Sequence, residues 1–145
     1  MAVGDQLLGA QGSHSAKANG AINIGRVVIR NGVDANGAAR VKQAITPQSA
    51  TLASVERVAG IAKATVASGD NVEYFAQPGM RVVVQGGGVV AADVEVTFDA
   101  NGKVVALGVP TATQYASIVG HSVEACAADL DFFTIEFNPS VLGKT

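Results

Sequence analysis

The chain predicts an all-β fold, a small β-sandwich or β-barrel-like domain, on three observations. Apolar and polar residues alternate with period two in several short runs. The clearest sets Val94, Val96 and Phe98 against Asp93, Glu95, Thr97 and Asp99. A half-buried strand points its side chains alternately to core and water, which requires that period. The runs are separated by Gly, Asn, Asp and Pro, the residues that hairpin turns use. Glycine is also abundant: 17 of 145 residues, about 12% against the usual ~7%, which suits many short strands and tight turns.

Residues 1–20 are mostly Gly, Ala, Ser and Gln with little periodicity. They are expected to form an extended N-terminal arm, ordered only where something holds it. Residues 21–145 are expected to form a single β-domain. Ile22 to Arg30 is its first strand, with a shift of phase near Gly25 that suggests a bulge. Asn31-Gly32 and Asp34 to Gly37 are turn signals, and Arg40 to Ile45 is a short amphipathic strand. Thr46-Pro47 has the form of an N-cap followed by a first helical residue. It predicts at most one short helix, within 47–56.

Val58 to Val66 is a small-residue strand, 67–70 a loop, and Val72 to Ala76 an alternating strand. Gln77-Pro78-Gly79 turns the chain into Met80 to Gln85. Gly86-Gly87-Gly88 is then a tight turn or a close backbone approach that separates two β-units, too short for a flexible linker. After the strand that ends at Phe98, Asp99-Ala100-Asn101-Gly102 is a hairpin turn leading into Lys103 to Leu107. Pro110 to Ser117 is a polar connection. Ile118 to Ala125 and Phe132 to Phe137 complete the strands.

The two units resemble each other. Asp34-Ala35-Asn36-Gly37 matches Asp99 to Gly102 at an offset of 65 residues. Pro47 matches Pro110 and Ala53-Ser54 matches Ala116-Ser117 at 63, Val58 to Gly60 resembles Ile118 to Gly120 at 60, and Pro78 matches Pro139 at 61. The order of landmarks is preserved. An internal pseudo-repeat of about 22–79 and 89–139 follows, two similar β-units sharing one core.

Composition narrows the function. Charged residues are only 15% of the chain, below the typical ~25%, so much of a lone subunit's surface is weakly polar. Aromatic residues are 5% with no Trp, and Ala and Val dominate the 48% hydrophobic content. A core of small side chains buries less area per residue, and subunit association is expected to add to its stability. The net charge of −2 hides an asymmetry: residues 1–72 hold seven bases and four acids, a net of +3, and residues 73–145 hold three bases and eight acids, a net of −5. The charge suggests an electrostatically two-sided module. No basic patch is interleaved with aromatics, so nucleic acid is not an expected partner. No run approaches the ~20 apolar residues of a spanning helix, and no secretory h-region is evident. Neither a membrane nor export is expected, and synthesis in a host cytoplasm follows.

Catalytic chemistry finds no constellation. His14 and His121 are the only histidines and Cys126 the only cysteine. A serine triad lacks its nucleophile turn and acid partner. The set of two His and one Cys does not make a familiar structural zinc site. His121 reads as a surface or interface residue and Cys126 as a small buried hydrophobe. The Gly triplet lacks a phosphate-loop pattern, and Asp129 and Asp131 lack the remaining ligands of a calcium loop. The expectation is a protein that is not an enzyme, with no catalytic or metal residues and no cofactor.

Three stretches resemble a known family. Val58 to Ala62 continued by Ala67-Ser68-Gly69-Asp70-Asn71-Val72-Glu73-Tyr74, then Val96 to Val104, then Ile118 to Ala125 are similar to small capsid decoration (cement) proteins of tailed bacteriophages. The likeness spans about residues 20–138 and departs in a longer N-terminal region and in the stretch near 46–57. It implies a β-sandwich or barrel on the outside of an assembled head, bound to the major capsid protein. A homotrimer that stabilises the shell by non-covalent contacts is also implied, with an arm or sheet edge adding to capsid strands. On that reading Leu7, Leu8, His14 and Lys17 are the arm's candidate contacts with the capsid or a neighbouring subunit, and Asp34, Gly37, Asp99 and Gly102 form the turns. The alternatives are another self-assembling structural β-protein, such as a phage tail or spike component, or a ligand-binding β-module, which the scarcity of aromatics disfavours.

Overall fold

The computed structural model describes residues 13–108 and 113–143. The fold is all-β. In chain order the strands are β1 (Ser13–Ala18), β2 (Val27–Val33), β3 (Ala39–Gln43), β4 (Gln48–Ser49), β5 (Val58–Ala62), β6 (Asn71–Phe75), β7 (Arg81–Gln85), β8 (Glu95–Phe98), β9 (Val104–Ala106), β10 (Tyr115–Ser122) and β11 (Phe132–Leu142). The short helix expected within 47–56 is one 3-10 turn, Leu52–Ser54, preceded by Thr51 rather than by Thr46-Pro47. Thr46 and Ile45 instead give their amides to the Glu56 carboxylate, which holds the chain extended there.

The strands form two sheets. The first is a closed barrel in the order β1-β3-β2-β5-β6, and the second runs β7-β11-β10-β8-β9, with β4 added to β10. The two orders repeat one another if β1 corresponds to β7, β2 to β8, β3 to β9, β5 to β10 and β6 to β11. The hydrogen bonds repeat as well. Ile22 and Val66 exchange a pair of backbone bonds, as do Val90 and Cys126. Ala18 N–H donates to Asp70, and Gly86 N–H to Asp131. Gly69 and Leu130, both left-handed at φ 89 and 72, donate respectively to Ala18, which ends β1, and to Gly86, which directly follows β7. The parallel pairing of β1 with β3 has its counterpart in one parallel bridge, Gly86 to Val104.

Several boundaries differ from the sequence reading. Ser13–Ala18, read as the end of the arm, is a barrel strand: it pairs with β6 over five residues and buries Ala16 and Ala18. Its apolar signal is two alanines, too weak to register as periodicity. Residues 1–12, with Leu7 and Leu8, lie outside the described residues, as does Pro110. The first unit's strand begins at Val27, because Gly25 turns the chain at φ 77. Asn31-Gly32 is not a turn. It lies in β2 where the register to β3 shifts, a bulge. β7 pairs with β11, so the glycine triplet falls inside the second unit instead of between units. The triplet is a site of close approach: a Cβ on Gly86 would stand 2.4 Å from Cys126 Sγ. Ala53-Ser54 and Ala116-Ser117 are not equivalent, since one pair is in the 3-10 turn and the other in β10. β11 continues past Phe137 through Pro139, where the register to β10 shifts; a bulge needs no ladder bond from the proline.

Two cores result. The smaller, inside the barrel, packs Ile22, Val28, Val41 and Val72 with alanines and Tyr74. The larger joins Val27, Ile29, Ala44 and Ile61, from the outside of the barrel, to Val84, Val96, Phe98, Phe133, Ile135 and Phe137 of the second sheet. Three of the five Phe are thus almost fully buried in the shared core. Each contributes about 2–3 kcal/mol of transfer free energy. Thr97, read as a wet-face residue, is buried, and its hydroxyl donates to Ser117 O at 2.6 Å. That bond satisfies the group where the second sheet is covered on both sides.

Candidate interaction site

A groove of about 600 Å3 opens on the first unit, with Pro139 of β11 at its edge. His14, Arg30, Glu56, Arg57, Tyr74 and Pro139 are among its lining residues. β1 supplies His14 and β6 supplies Tyr74, directly paired across the strands. Their rings stack at 5.7 Å between centroids, 20° from parallel, which presents a flat imidazole at the surface over a buried phenol ring. β2 supplies Arg30, and the segment between the 3-10 turn and β5 supplies Arg57; both are exposed.

The groove's acid is engaged in the structure itself. Glu56 Oε1 accepts the amides of Ile45 and Thr46 at 2.6 Å each, and Oε2 lies 3.2 Å from Lys42 Nζ. Two guanidinium groups and an imidazole therefore face an acid whose charge is compensated. The groove suits carboxylates, which a guanidinium binds in a planar fork, together with a flat group on the stacked rings. A second depression, lined by Leu52, Arg57, Tyr115, Pro139, Ser140 and Val141, continues it along β11.

Of the two expected contact residues that are described, His14 and Lys17, His14 lines this groove. Lys17 is on the same strand, three residues on, and is not among the lining residues. Arg30, Arg57 and Tyr74 are not candidates on sequence grounds, because nothing in their spacing brings them together before the first barrel closes. His121 is exposed, with Nε2 2.7 Å from Asp93 Oδ1. Lys103 Nζ lies 2.7 Å from Asp129 Oδ1, and this bond holds the Asp129 carboxyl below its ordinary value. Among the described residues no group of three His, Cys, Asp or Glu is placed to hold a metal ion, and no helix is long and apolar enough to cross a membrane.

The two turns share one geometry. Asp34 Oδ1 accepts the amides of Asn36 and Ala38, and Asp99 Oδ1 those of Asn101 and Lys103. At Asp34 the amides of Ala38 and Asn36 hold the carboxyl below its ordinary value, with the charges of Lys17 and Arg40 adding to them. The last residue of each turn is left-handed, Gly37 at φ 82 and Gly102 at φ 73. Their surroundings differ. The Gly37 turn is exposed, whereas Gly102 is buried against the first unit and its carbonyl accepts the Val27 amide at 2.8 Å.

No family profile and no curated protein sequence matches the chain. Among solved structures the chain is similar to the N base of the head fiber gp8.5 of bacteriophage phi29. The two share 19% sequence identity over 92% of this chain and 94% of that one, with a TM-score of 0.60. At that identity the likeness is one of fold, and it takes in both β-units.

Proposed function

We propose that the protein is a structural component of a bacteriophage virion, located on the capsid exterior, that binds the assembled capsid and stabilises it through non-covalent contacts. The major capsid protein is the partner, and a homo-oligomer, a trimer, is the binding form. The observation that carries this reading is the likeness over nearly the whole chain to a domain that forms the base of a phage head fiber. The stretches that resemble capsid decoration proteins and the low content of charged residues support it. On this reading the cationic groove takes an acidic capsid segment against Arg30 and Arg57.

The test is co-sedimentation with DNA-emptied heads of the phage whose genome carries this sequence. The wild-type chain is expected to pellet with heads at micromolar concentration. The Arg30→Glu, Arg57→Glu double variant is expected to bind at least tenfold more weakly while remaining folded. A wild-type chain that stays in the supernatant overturns the reading. Equal binding by the double variant removes the groove from it.

A further inference from the structure

The two units touch through unlike surfaces. The end of the second unit, with the turn that closes at Gly102, sits on the side of the first. Gly102 O accepts the Val27 amide, and a Cβ on Gly102 would approach Gln43 Cγ, Val27 O and Ala44 O at 2.7–3.3 Å. Gln85 N–H donates to Gly25 O, and Arg26 reaches Gln85 Oε1 and Asn101 O. Such a contact uses one surface of each unit and, among the described residues, leaves the equivalent of each uncovered: the side of the second unit and the turn end of the first.

Both equivalents are identifiable. Ala44 N–H donates to Val27 O in the first unit, and Leu107 N–H to Glu95 O in the second. Val27 also faces Ile61 across β2 and β5, as Glu95 faces His121 across β8 and β10. Glu95 and Leu107 therefore stand where Val27 and Ala44 form the seat for Gly102. A depression of about 470 Å3 lies there, lined by Ala91, Val94, Glu95, Ala106, Leu107 and Gly108. The turn of the first hairpin, from Asp34 to Gly37, is exposed, and a Cβ on Gly37 would meet none of the described residues within 4 Å. This hairpin is longer than its counterpart, with 14 residues from Val28 to Val41 against 9 from Val96 to Val104. It carries Val33 with 57% of its surface exposed.

We infer that a second copy of this chain docks head to tail, its first hairpin seated in the depression at Glu95 and Leu107 as the Asp99–Gly102 turn is seated at Val27 and Ala44 within the chain. Charge favours this pairing. The hairpin end brings Lys17 and Arg40, which act on Asp34, and the seat brings Glu95. Val33 supplies the apolar contact that the largely apolar depression requires. A heterologous contact of this kind closes into a ring or continues as a filament, depending on its rotation. The interface deepens the oligomer of the function proposed above and does not depend on the capsid. Failure of head binding by an intact oligomer leaves it standing, whereas head binding by a monomeric wild-type chain removes the interface and the oligomeric binding form and leaves capsid attachment standing.

The test is sedimentation velocity at tens of micromolar on the wild-type chain and on Val33→Asp and Leu107→Asp, with circular dichroism as the check of folding. The wild-type chain is expected to sediment as an oligomer that weakens as salt is raised to 1 M. Each variant alone is expected to be a monomer. Mixed, they retain one good hairpin and one good seat, and are expected to form a one-to-one dimer that grows no further. Should Leu107→Asp lose its β-sheet spectrum, Glu95→Lys at an exposed position takes its place. A monomeric wild-type chain, variants with an unchanged oligomer, or a mixture that stays monomeric overturns the proposal.

Discussion

The two Asp-Ala-Asn-Gly turns form a controlled experiment, because their residues and backbone geometry match while their surroundings do not. Alanine at Gly37 or Gly102 meets the same backbone penalty: a non-glycine residue held at φ 82 or 73 costs about 1–2 kcal/mol. At Gly37 the new methyl group enters open space, so that cost is the whole effect. At Gly102 the methyl group would stand 2.7 Å from Gln43 Cγ and 3.2 Å from Val27 O. Gln43 can swing aside, but the Val27 carbonyl is strand backbone. The hairpin must lift from the first unit, weakening the bond from Val27 N–H to Gly102 O. That adds about 1–3 kcal/mol, the usual cost of overpacking. For a domain of this size each kcal/mol lowers Tm by about 3 °C. Gly37→Ala is expected to lower Tm by about 3–6 °C, and Gly102→Ala by about 6–15 °C. The assay is a thermal melt at submicromolar protein, where self-association adds nothing. Equal shifts for the two variants would refute the packing argument and leave only the backbone term.

Three further outcomes are expected. Deleting residues 2–17 removes most of β1 and should abolish the cooperative transition, since β1 closes the barrel between β3 and β6; a melt equal to that of the full chain would remove β1 from the fold. Gly120→Ala should destabilise by about 3 kcal/mol or more, because its Cβ would lie 2.0 Å from the Glu136 carbonyl oxygen in the facing strand; the midpoint of urea unfolding measures this. Asp34, whose carboxyl is held below 3.8 by two amides, stabilises the fold when ionised. That stabilisation is present above about pH 4 and lost as the pH falls through the lowered value. The Tm advantage of the wild-type chain over Asp34→Asn should therefore shrink on going from about pH 6 to about pH 2, and an advantage that grows in acid would contradict the assignment.

Local chemistry was legible in the sequence. The turns at Asp34 and Asp99 follow from an Asp that bonds its own downstream amides and a Gly that accepts a left-handed backbone. The strand through Val96 and Phe98 follows from period two. Burial of the lone thiol of Cys126 was equally readable, because each of these features rests on residues close in sequence. What the sequence hid depends on partners far along the chain. β1 carries almost no hydrophobic signal and is a strand because β3 and β6 receive it. β7 lies before the glycine triplet yet belongs to the second sheet, because β11 pairs with it. Thr97 is polar and buried because Ser117 O is there to accept its proton. The groove brings Arg30, Arg57, His14 and Tyr74 together from four segments, and periodicity contains no information about distance between segments. The two turns read identically, and only packing decides that one is a free end and the other the joint between the units. A local motif specifies its own backbone; which surface covers it is set by the competition of all the apolar area in the chain for burial, and that is decided only when the whole chain folds.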